Sequence, residues 1–187
     1  MPEDYSRYTD EQLFAAFKQS GKKKDAAFRE LFSRYERKVY VFCLRLSGNP
    51  DDANDIFQET FTRFYKQTLK DSEKVSNILA YLLTSARNVF LNTRRNKVYW
   101  SPFEDEHIAD HMPMYERKEL LTMISTALEL LDVPYREAFI LRFYQGLSYK
   151  EISEITGDSV SSLKVRVMRA KDQVRTILQP YIADLSR

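Results

Sequence analysis

Apolar residues recur every three or four positions along most of this chain, and that spacing limits the folds it can adopt. Phe28, Leu31, Phe32, Tyr35 and Val39, for example, fall on one side of a helix. No stretch of useful length alternates apolar and polar residues as a half-buried strand would. Four glycines and six prolines leave few places for tight turns. The sequence therefore predicts an all-α protein.

Signals for helix ends divide the chain further. Thr9 and Gln12 form a capping box that starts a first helix, and Gly21 with the basic run Lys22–Lys24 is expected to end it. Gly48-Asn49-Pro50 is a second strong stop. The remaining helices before residue 145 are expected at about Asp25–Ser47, Asp51–Gln67, Ile78–Lys97 and Tyr115–Leu131, and from a break at Val133-Pro134 to about Tyr144.

The segment from Ser101 to Lys118 interrupts this pattern. It contains five acidic residues, two basic residues and two prolines, a composition typical of a linker. We therefore predict two small helical domains, residues 1–97 and 118–187, joined by an acidic linker at 98–117. His107 and His111 in this linker could bind a metal only if it were helical, so we predict no metal site.

Composition bounds the possible functions. The chain carries 29 basic and 27 acidic residues, so any nucleic-acid contact must rest on local patches rather than on net charge. The single Cys43 lies in a helical pattern and is expected to be buried. There is no nucleophile–base pair, phosphate-binding glycine loop or metal-ligand set, so we expect no catalytic residue and no cofactor. With no membrane-spanning run and a polar N-terminus, a cytoplasmic location is expected.

Residues 146–178 have the pattern of a helix-turn-helix. Ser148 and Glu151 form a capping box, Gly157 supplies the turn, and Ser159 can cap the next helix. Such a pair of helices also occurs in proteins that never touch DNA. The predicted buried seam of the second helix consists of Val160, Leu163, Val167, Ala170, Val174 and Ile177.

The opposite face of this second helix mixes basic and apolar residues. From Ser159 to Leu178 there are five basic residues against Asp172 alone. Apolar side chains can contact the thymine methyl group, while Arg and Lys can bind guanine edges, so this mixture favours major-groove recognition. A protein contact through Val165 and Met168 is the alternative. The face and its edges comprise Ser161, Ser162, Lys164, Val165, Arg166, Met168, Arg169, Lys171 and Asp172, and Arg142 could add a phosphate contact.

Three stretches together resemble bacterial sigma-70 factors. "LDVPYREAFILRFYQGLSYKEISEITGDSVSSLKVRVMRAKDQVR" is similar to region 4, "DDANDIFQETFTRFYK" to region 2.2, and "ILAYLLTSARNVFLNTRRNK" to regions 2.3 and 2.4. The region 2-like part and the region 4-like part together make up almost the whole chain. It therefore resembles the extracytoplasmic-function (group 4) class, which lacks regions 1.1 and 3.

The resemblance implies a function in promoter recognition by RNA polymerase. Asp55, Gln58, Glu59 and Arg63 would bind the clamp helices of the largest polymerase subunit. The second domain would bind the beta flap and the −35 element, the latter through Lys164, Val165, Met168 and Arg169, with Arg142 and Ser162 on phosphates. Residues Lys70–Asn77 and the start of the next helix would hold a flipped base of the −10 non-template strand. The implied −10 and melting residues are Ser76, Asn77, Tyr81, Arg87, Asn88, Arg94, Arg95 and Lys97.

The same resemblance implies further partners. The acidic linker would thread toward the RNA exit path of the polymerase, and an anti-sigma factor or other regulator would control the protein. Four departures from the family pattern concern the DNA-binding elements. Tyr81 replaces the usual Trp, Asn92 a frequent Asp, Asp158 an apolar turn residue, and Ser161-Ser162 the usual Gly-Thr.

Two other functions remain open from the residues. A stand-alone helix-turn-helix regulator with an N-terminal sensor or dimerisation domain would bind specific duplex DNA without polymerase. A helical adaptor with no DNA contact would use the Val165/Met168 face to bind protein. Dependence of DNA binding on polymerase would separate the first of these from a sigma factor.

Overall fold

The structure, a computed structural model, describes residues 5–19, 21–67, 77–96 and 114–185. Every regular element within these residues is a helix. A short 3-10 helix, Tyr5–Arg7, comes first. The α-helices are α1 (Asp10–Phe17), α2 (Lys22–Ser47), α3 (Pro50–Gln67), α4 (Ile78–Asn96), α5 (Met114–Glu129), α6 (Val133–Phe139), α7 (Tyr149–Thr156) and α8 (Val160–Leu185). The end of α6 continues as a π-helical segment, Ile140–Tyr144. The predicted all-α fold is confirmed.

Most helix ends follow the signals in the sequence. The Thr9 hydroxyl accepts a hydrogen bond from the Gln12 backbone N–H, and the Gln12 side chain accepts one from that of Thr9, which confirms the capping box. Gly48 adopts a φ of 68° directly after α2, a conformation that glycine reaches without a steric penalty. Pro50 then opens α3, where its missing N–H leaves no hydrogen bond unmade.

The start of α2 differs from the expectation. Lys22–Lys24 form the first turn of α2, so the prediction that they end α1 is wrong. Gly21, with a φ of 80°, is the break between the helices, and its carbonyl accepts a hydrogen bond of 3.1 Å from the Lys24 N–H. The Lys24 ammonium lies 4.3 Å from the ring centroid of Tyr65, a cation–π contact that holds this turn in place.

Tertiary contacts divide the chain into two compact units. The first comprises Met1–Cys43 and Asp51–Val98, and the second comprises Leu44–Pro50 and Tyr99–Arg187. Most of the predicted linker, residues 98–113, lies outside the described residues, as do His107 and His111. Residues 114–117, the end of the predicted linker, belong to the first turn of α5.

Aromatic rings fill the core of the first unit. Phe17 and Phe64 are fully buried, and their ring centroids lie 5.6 Å apart. Phe28 approaches Phe17 at 5.4 Å and meets Tyr65 edge to face at 5.0 Å. Such pairs add to the stabilisation from burial, by roughly 0.5–1.5 kcal/mol each. The cluster therefore joins α1, α2 and α3 and leaves the opposite side of α3 in solvent.

The core of the second unit is built on α8. Ala127, Leu128 and Leu131 from the α5 end pack against Ala170, Val174 and Leu178 of α8. Arg136 of α6 is 2% exposed and donates hydrogen bonds of 2.6 and 3.1 Å to the carbonyls of Glu129 and Leu131. It thereby satisfies carbonyl groups that the end of α5 would otherwise leave without an intrahelical partner.

No helix within the described residues has the length and apolar character needed to cross a membrane. Cys43, the single cysteine, is fully buried as predicted. Burial raises the pKa of its thiol to about 12, because the charged thiolate is disfavoured away from water.

Cys43 should therefore not react with thiol reagents while the protein is folded. The thiolate is the reactive form, and both burial and the raised pKa keep its population low at neutral pH. We expect labelling by a thiol-reactive dye only after a denaturant unfolds the chain. Rapid stoichiometric labelling in native buffer would contradict the buried position.

Candidate nucleic-acid interface

The helix-turn-helix is defined by hydrogen bonds at the start of α7 and at the turn before α8. Ser148 accepts from the Glu151 N–H at 3.3 Å, and the Glu151 carboxylate accepts from the Ser148 N–H at 2.8 Å. Hydrogen bonding to the Glu151 carboxylate, first from the Ser148 side chain and then from the Ser148 backbone, lowers the pKa of Glu151. Gly157 ends α7 with a φ of 77°, and the Ser159 hydroxyl accepts from the Ser162 N–H at 3.2 Å. The predicted capping box, turn and cap are all confirmed.

One side of α8 is buried and fixes the direction of the other. Leu163, Val167, Ala170 and Val174 are between 0% and 7% exposed, as the predicted seam requires. Val160 is 38% exposed, so its assignment to the seam is wrong. It is the first residue of α8, and no earlier turn of that helix lies beside it. At the other end of the seam Leu178 is buried, while Ile177 is only partly so.

The opposite side of α8 presents a recognition face, formed by Ser161, Lys164, Val165, Met168 and Arg169, all of them exposed. Val165 is 44% exposed and Met168 57%, values that are high for large apolar side chains in a folded helix. Two apolar groups between positive charges offer both kinds of contact that a base edge in the major groove can use. Lys171 is also exposed, and Ser162 lies half-buried at the edge.

Arg169 lies at one border of the recognition face. Its Nη1 atom is 3.5 Å from the Tyr135 hydroxyl of α6, which is at the limit for a hydrogen bond. The side chain is otherwise directed to solvent and counts as exposed. The guanidinium group is therefore accessible to a ligand at the face.

Arg166 forms an ion pair with Asp158 in the turn between α7 and α8. Its guanidinium donates two hydrogen bonds to the Asp158 carboxylate, 2.5 Å from Nη1 to Oδ2 and 2.9 Å from Nη2 to Oδ1. Both side chains are about three-quarters buried. This is the bidentate geometry in which guanidinium and carboxylate groups bind most strongly. Arg166 was grouped with the DNA contacts from sequence, and in the structure it joins α8 to the turn.

Arg142 also has partners within the fold. It lies in the π-helical segment, and its Nη1 donates a hydrogen bond of 2.8 Å to the carbonyl of Leu147. Its guanidinium carbon is 5.2 Å from the ring centroid of Tyr149. Arg142 therefore supports the loop that precedes α7, and it is half-buried there.

A second candidate surface lies on the first unit. The outer side of α3, with Asp55, Gln58, Glu59 and Arg63, is exposed as the sequence predicted. Together with Asn92 and Thr93 of α4, these residues line a groove of about 480 Å³. The Arg63 Nε atom lies 2.7 Å from Glu59 Oε1, one helical turn away. The groove thus offers carboxylates, two amides and a paired guanidinium to a partner.

The remaining candidate residues lie along α4. Asn77 caps this helix, its Oδ1 atom accepting a hydrogen bond of 2.9 Å from the Ala80 N–H. The half-buried Tyr81 ring lies 5.6 Å from that of Phe64, at the edge of the aromatic core. Asn88, Arg94 and Arg95 are exposed and Arg87 is half-buried. Ser76 and Lys97 lie outside the described residues.

Comparison with known proteins finds two family models in this order along the chain. The Sigma-70 region 2 model matches residues 31–98, and the Sigma-70, region 4 model matches residues 121–174. The chain is also similar to the ECF RNA polymerase sigma factor SigM of Bacillus subtilis (strain 168). The two are 31% identical over 163 residues, which cover 83% of this chain and 97% of SigM.

The chain belongs to the extracytoplasmic-function class of sigma-70 factors. Its function is promoter-specific transcription initiation with RNA polymerase, and sigma factors are initiation factors rather than enzymes. A stand-alone regulator is not favoured, since both sigma regions match.

Two further comparisons agree with this assignment. The ECF sigma factor SigE of Mycolicibacterium smegmatis (strain ATCC 700084 / mc(2)155) is 27% identical over 168 residues, 84% of this chain and 64% of SigE. The sigma factor RpoE of Bartonella quintana, solved in complex with the anti-sigma factor NepR, has a TM-score of 0.71 and 26% identity. That match covers 81% of this chain and 96% of RpoE.

Part of each surface of this sigma factor could not be predicted from the sequence. Asn92 and Thr93 line the α3–α4 groove, but only the packing of the two helices brings them beside Asp55 and Glu59. The Asp158–Arg166 pair was also missed. Asp158 stood out only as a departure from the family pattern, and helical spacing cannot pair residues across a turn.

Gly157 provides a direct test of the turn geometry. A Cβ added there would meet no atom within 4 Å, so the cost of Gly157→Ala comes from the left-handed backbone alone. We expect a loss of about 1–2 kcal/mol in unfolding free energy, measured by urea denaturation. Gly157→Asn is the matched control and should lose less, because Asn tolerates this conformation better. Equal losses for both variants would contradict the account.

Proposed function

We propose that this sigma factor performs its two recognition tasks on separate surfaces. The recognition face of α8 binds the −35 element, and the outer side of α3 binds the clamp helices of the largest polymerase subunit. The observation that carries the proposal is the exposure of Val165 and Met168 between Lys164 and Arg169 on a helix whose other side is buried from Leu163 to Val174. A helix face of this composition suits a major groove.

The charge around this face supports DNA binding despite the nearly neutral chain. The helix segment that bears it contains five basic residues and one acidic residue, and four of the five remain once Arg166 is paired with Asp158, whereas the chain as a whole has a net charge of +2. Local cations near phosphates release condensed counterions, and this release supplies much of the affinity for DNA. Phosphate contacts then position α8, and side chains at base edges provide the sequence preference.

The α3 surface suits a protein partner better than a nucleic acid. Asp55 and Glu59 are acidic, exposed and lie beside the groove, so they would repel phosphates and attract basic side chains. Clamp helices of the polymerase would occupy this groove, while the second unit also contacts the beta flap.

Opening of the promoter falls to α4 and the segment before it. We assign Asn77, Tyr81 and Asn88 to the unpaired −10 strand, with Ser76 in the preceding segment. Arg87, Arg94, Arg95 and Lys97 would bind its phosphates. Exposed Asn88, Arg94 and Arg95 support this assignment, since a melted strand needs both cations and polar groups along its path. By trapping unpaired bases, the protein would shift the closed complex toward the open one.

Further partners follow from the same assignment. Residues 98–113 would thread toward the RNA exit path, their acidic side chains standing in for nucleic-acid phosphates. An anti-sigma factor or other regulator would control the protein, a proposal supported by the similar RpoE chain solved with NepR. The protein would act in the cytoplasm, where polymerase and promoter DNA are found.

Reconstitution with RNA polymerase core tests the proposed function. The protein and core enzyme should together produce run-off transcripts from a subset of promoter fragments, whereas neither should do so alone. A failure to bind core and to yield any transcript would contradict the proposal. Tight, specific duplex binding in the absence of core would instead favour a stand-alone regulator.

Replacing Arg169 by alanine should impair promoter selection without affecting core binding. Loss of a base-edge contact should reduce discrimination at one −35 position by roughly 1–3 kcal/mol. The measurement is run-off transcription from promoters that carry each of the four bases at every −35 position.

The control for Arg169→Ala is a charge reversal on the other surface. Asp55→Lys should weaken binding to core and leave the −35 preference of the remaining transcripts unchanged. If Arg169→Ala abolished core binding, or if Asp55→Lys altered the −35 preference, the proposed division between the two surfaces would be wrong.

A further inference from the structure

Asp158 connects the two helices of the helix-turn-helix through all of its polar groups. Its backbone carbonyl accepts a hydrogen bond of 2.6 Å from the Ser153 hydroxyl of α7. Its backbone N–H donates one of 3.2 Å to the Thr156 hydroxyl, and that hydroxyl donates to the Ile152 carbonyl at 2.9 Å. The Asp158 carboxylate in turn accepts both hydrogen bonds of Arg166 from α8. The turn is thus fastened to α7 by backbone groups and to α8 by an ion pair.

The position of Arg166 makes this ion pair relevant to DNA. Arg166 lies next to Val165 at the edge of the recognition face, where an unengaged guanidinium would reach a phosphate of the groove wall. A carboxylate and a phosphate bind guanidinium through the same bidentate geometry. Asp158 therefore occupies Arg166 with a group that resembles the DNA backbone.

Three features favour the carboxylate over a DNA phosphate. The carboxylate is part of the same chain, so its effective concentration near Arg166 is high. Its backbone is already held by Ser153 and Thr156, so little conformational entropy is lost when the pair forms. Both side chains are about three-quarters buried, which protects the pair from screening by salt.

We propose that Asp158 limits the overall affinity of α8 for DNA by keeping Arg166 away from the DNA backbone. A phosphate contact strengthens binding to every sequence equally, whereas the contacts of Lys164, Val165, Met168 and Arg169 depend on the bases. Withholding one phosphate contact lowers the affinity for every duplex alike and leaves promoter preference to the recognition face. The proposal rests on the proposed function of α8 in −35 recognition.

The salt dependence of DNA binding tests the proposal. The slope of log affinity against log salt concentration changes by about 0.9 for each phosphate neutralised. Holoenzyme would be assembled from core polymerase and the full chain, and its affinity measured for a promoter duplex and for an unrelated duplex of equal length. A purely structural role for the pair would alter affinity and leave this slope unchanged.

Four variants separate the possible outcomes. Arg166→Gln should leave the slope at its wild-type value, because Arg166 contacts no phosphate. Asp158→Asn should steepen it by about 0.9 and strengthen binding to the unrelated duplex several-fold, because Arg166 is released. The double variant Asp158→Asn/Arg166→Gln should return to the wild-type slope. Asp158→Glu, which retains the carboxylate, is the conservative control and should also keep that slope.

Two results would overturn the proposal. A slope shallower by about 0.9 for Arg166→Gln would place Arg166 on a phosphate in the wild-type complex. A gain in binding to unrelated DNA that persisted in the double variant would show simple relief of charge repulsion at Asp158. Wild-type holoenzyme that failed to prefer any promoter duplex would instead overturn the proposed function of α8.

Discussion

The burial of one side of α8 is the constraint on which the second unit depends. Leu163, Val167, Ala170 and Val174 form the buried seam of α8, and α8 packs against α5, α6 and α7, so a single helix organises the helices of this unit. A rotation of α8 about its axis would expose this seam to water at a cost of roughly 25 cal/mol per Å² of apolar surface. The seam therefore determines which residues face outward, and with them which side chains can meet DNA.

In the first unit, too, the buried core determines which side of a helix faces solvent, but here the exposed side is acidic. Its aromatic core buries the inner side of α3 and leaves Asp55 and Glu59 in solvent, beside a groove shared with α4. A basic face on α8 and an acidic groove on α3 then coexist in one chain of nearly zero net charge. Opposite charges on two surfaces allow each to repel the partner of the other, which is how charged interfaces acquire specificity.

The parts of the fold that could be predicted from sequence are those determined by near neighbours along the chain. The capping boxes at Thr9 and Ser148 and the turn at Gly157 depend on residues a few positions apart, and they were correctly predicted. The run Lys22–Lys24 was misassigned because its contact is with Tyr65, far along the chain. The ion pair of Asp10 with Arg34, at 3.1 Å, could not be predicted from helical spacing either, because the two residues lie on different helices. At the site, helical spacing predicted the outward faces of α3 and α8. It could not predict the hydrogen bonds of Arg142 and Arg166, because their partners lie in loops whose conformation helical spacing does not determine.

Cleavage mapping from two single positions tests the division between the surfaces most directly. Because Cys43 is fully buried, Met168→Cys and Gln58→Cys would each provide one accessible thiol, to which an iron chelate that cleaves nearby chains can be attached. In an open complex with core polymerase, the chelate at position 168 should cut promoter DNA around the −35 element. The chelate at position 58 should cut the largest polymerase subunit within its clamp helices. Cleavage of DNA from position 58, or of the clamp helices from position 168, would contradict the account.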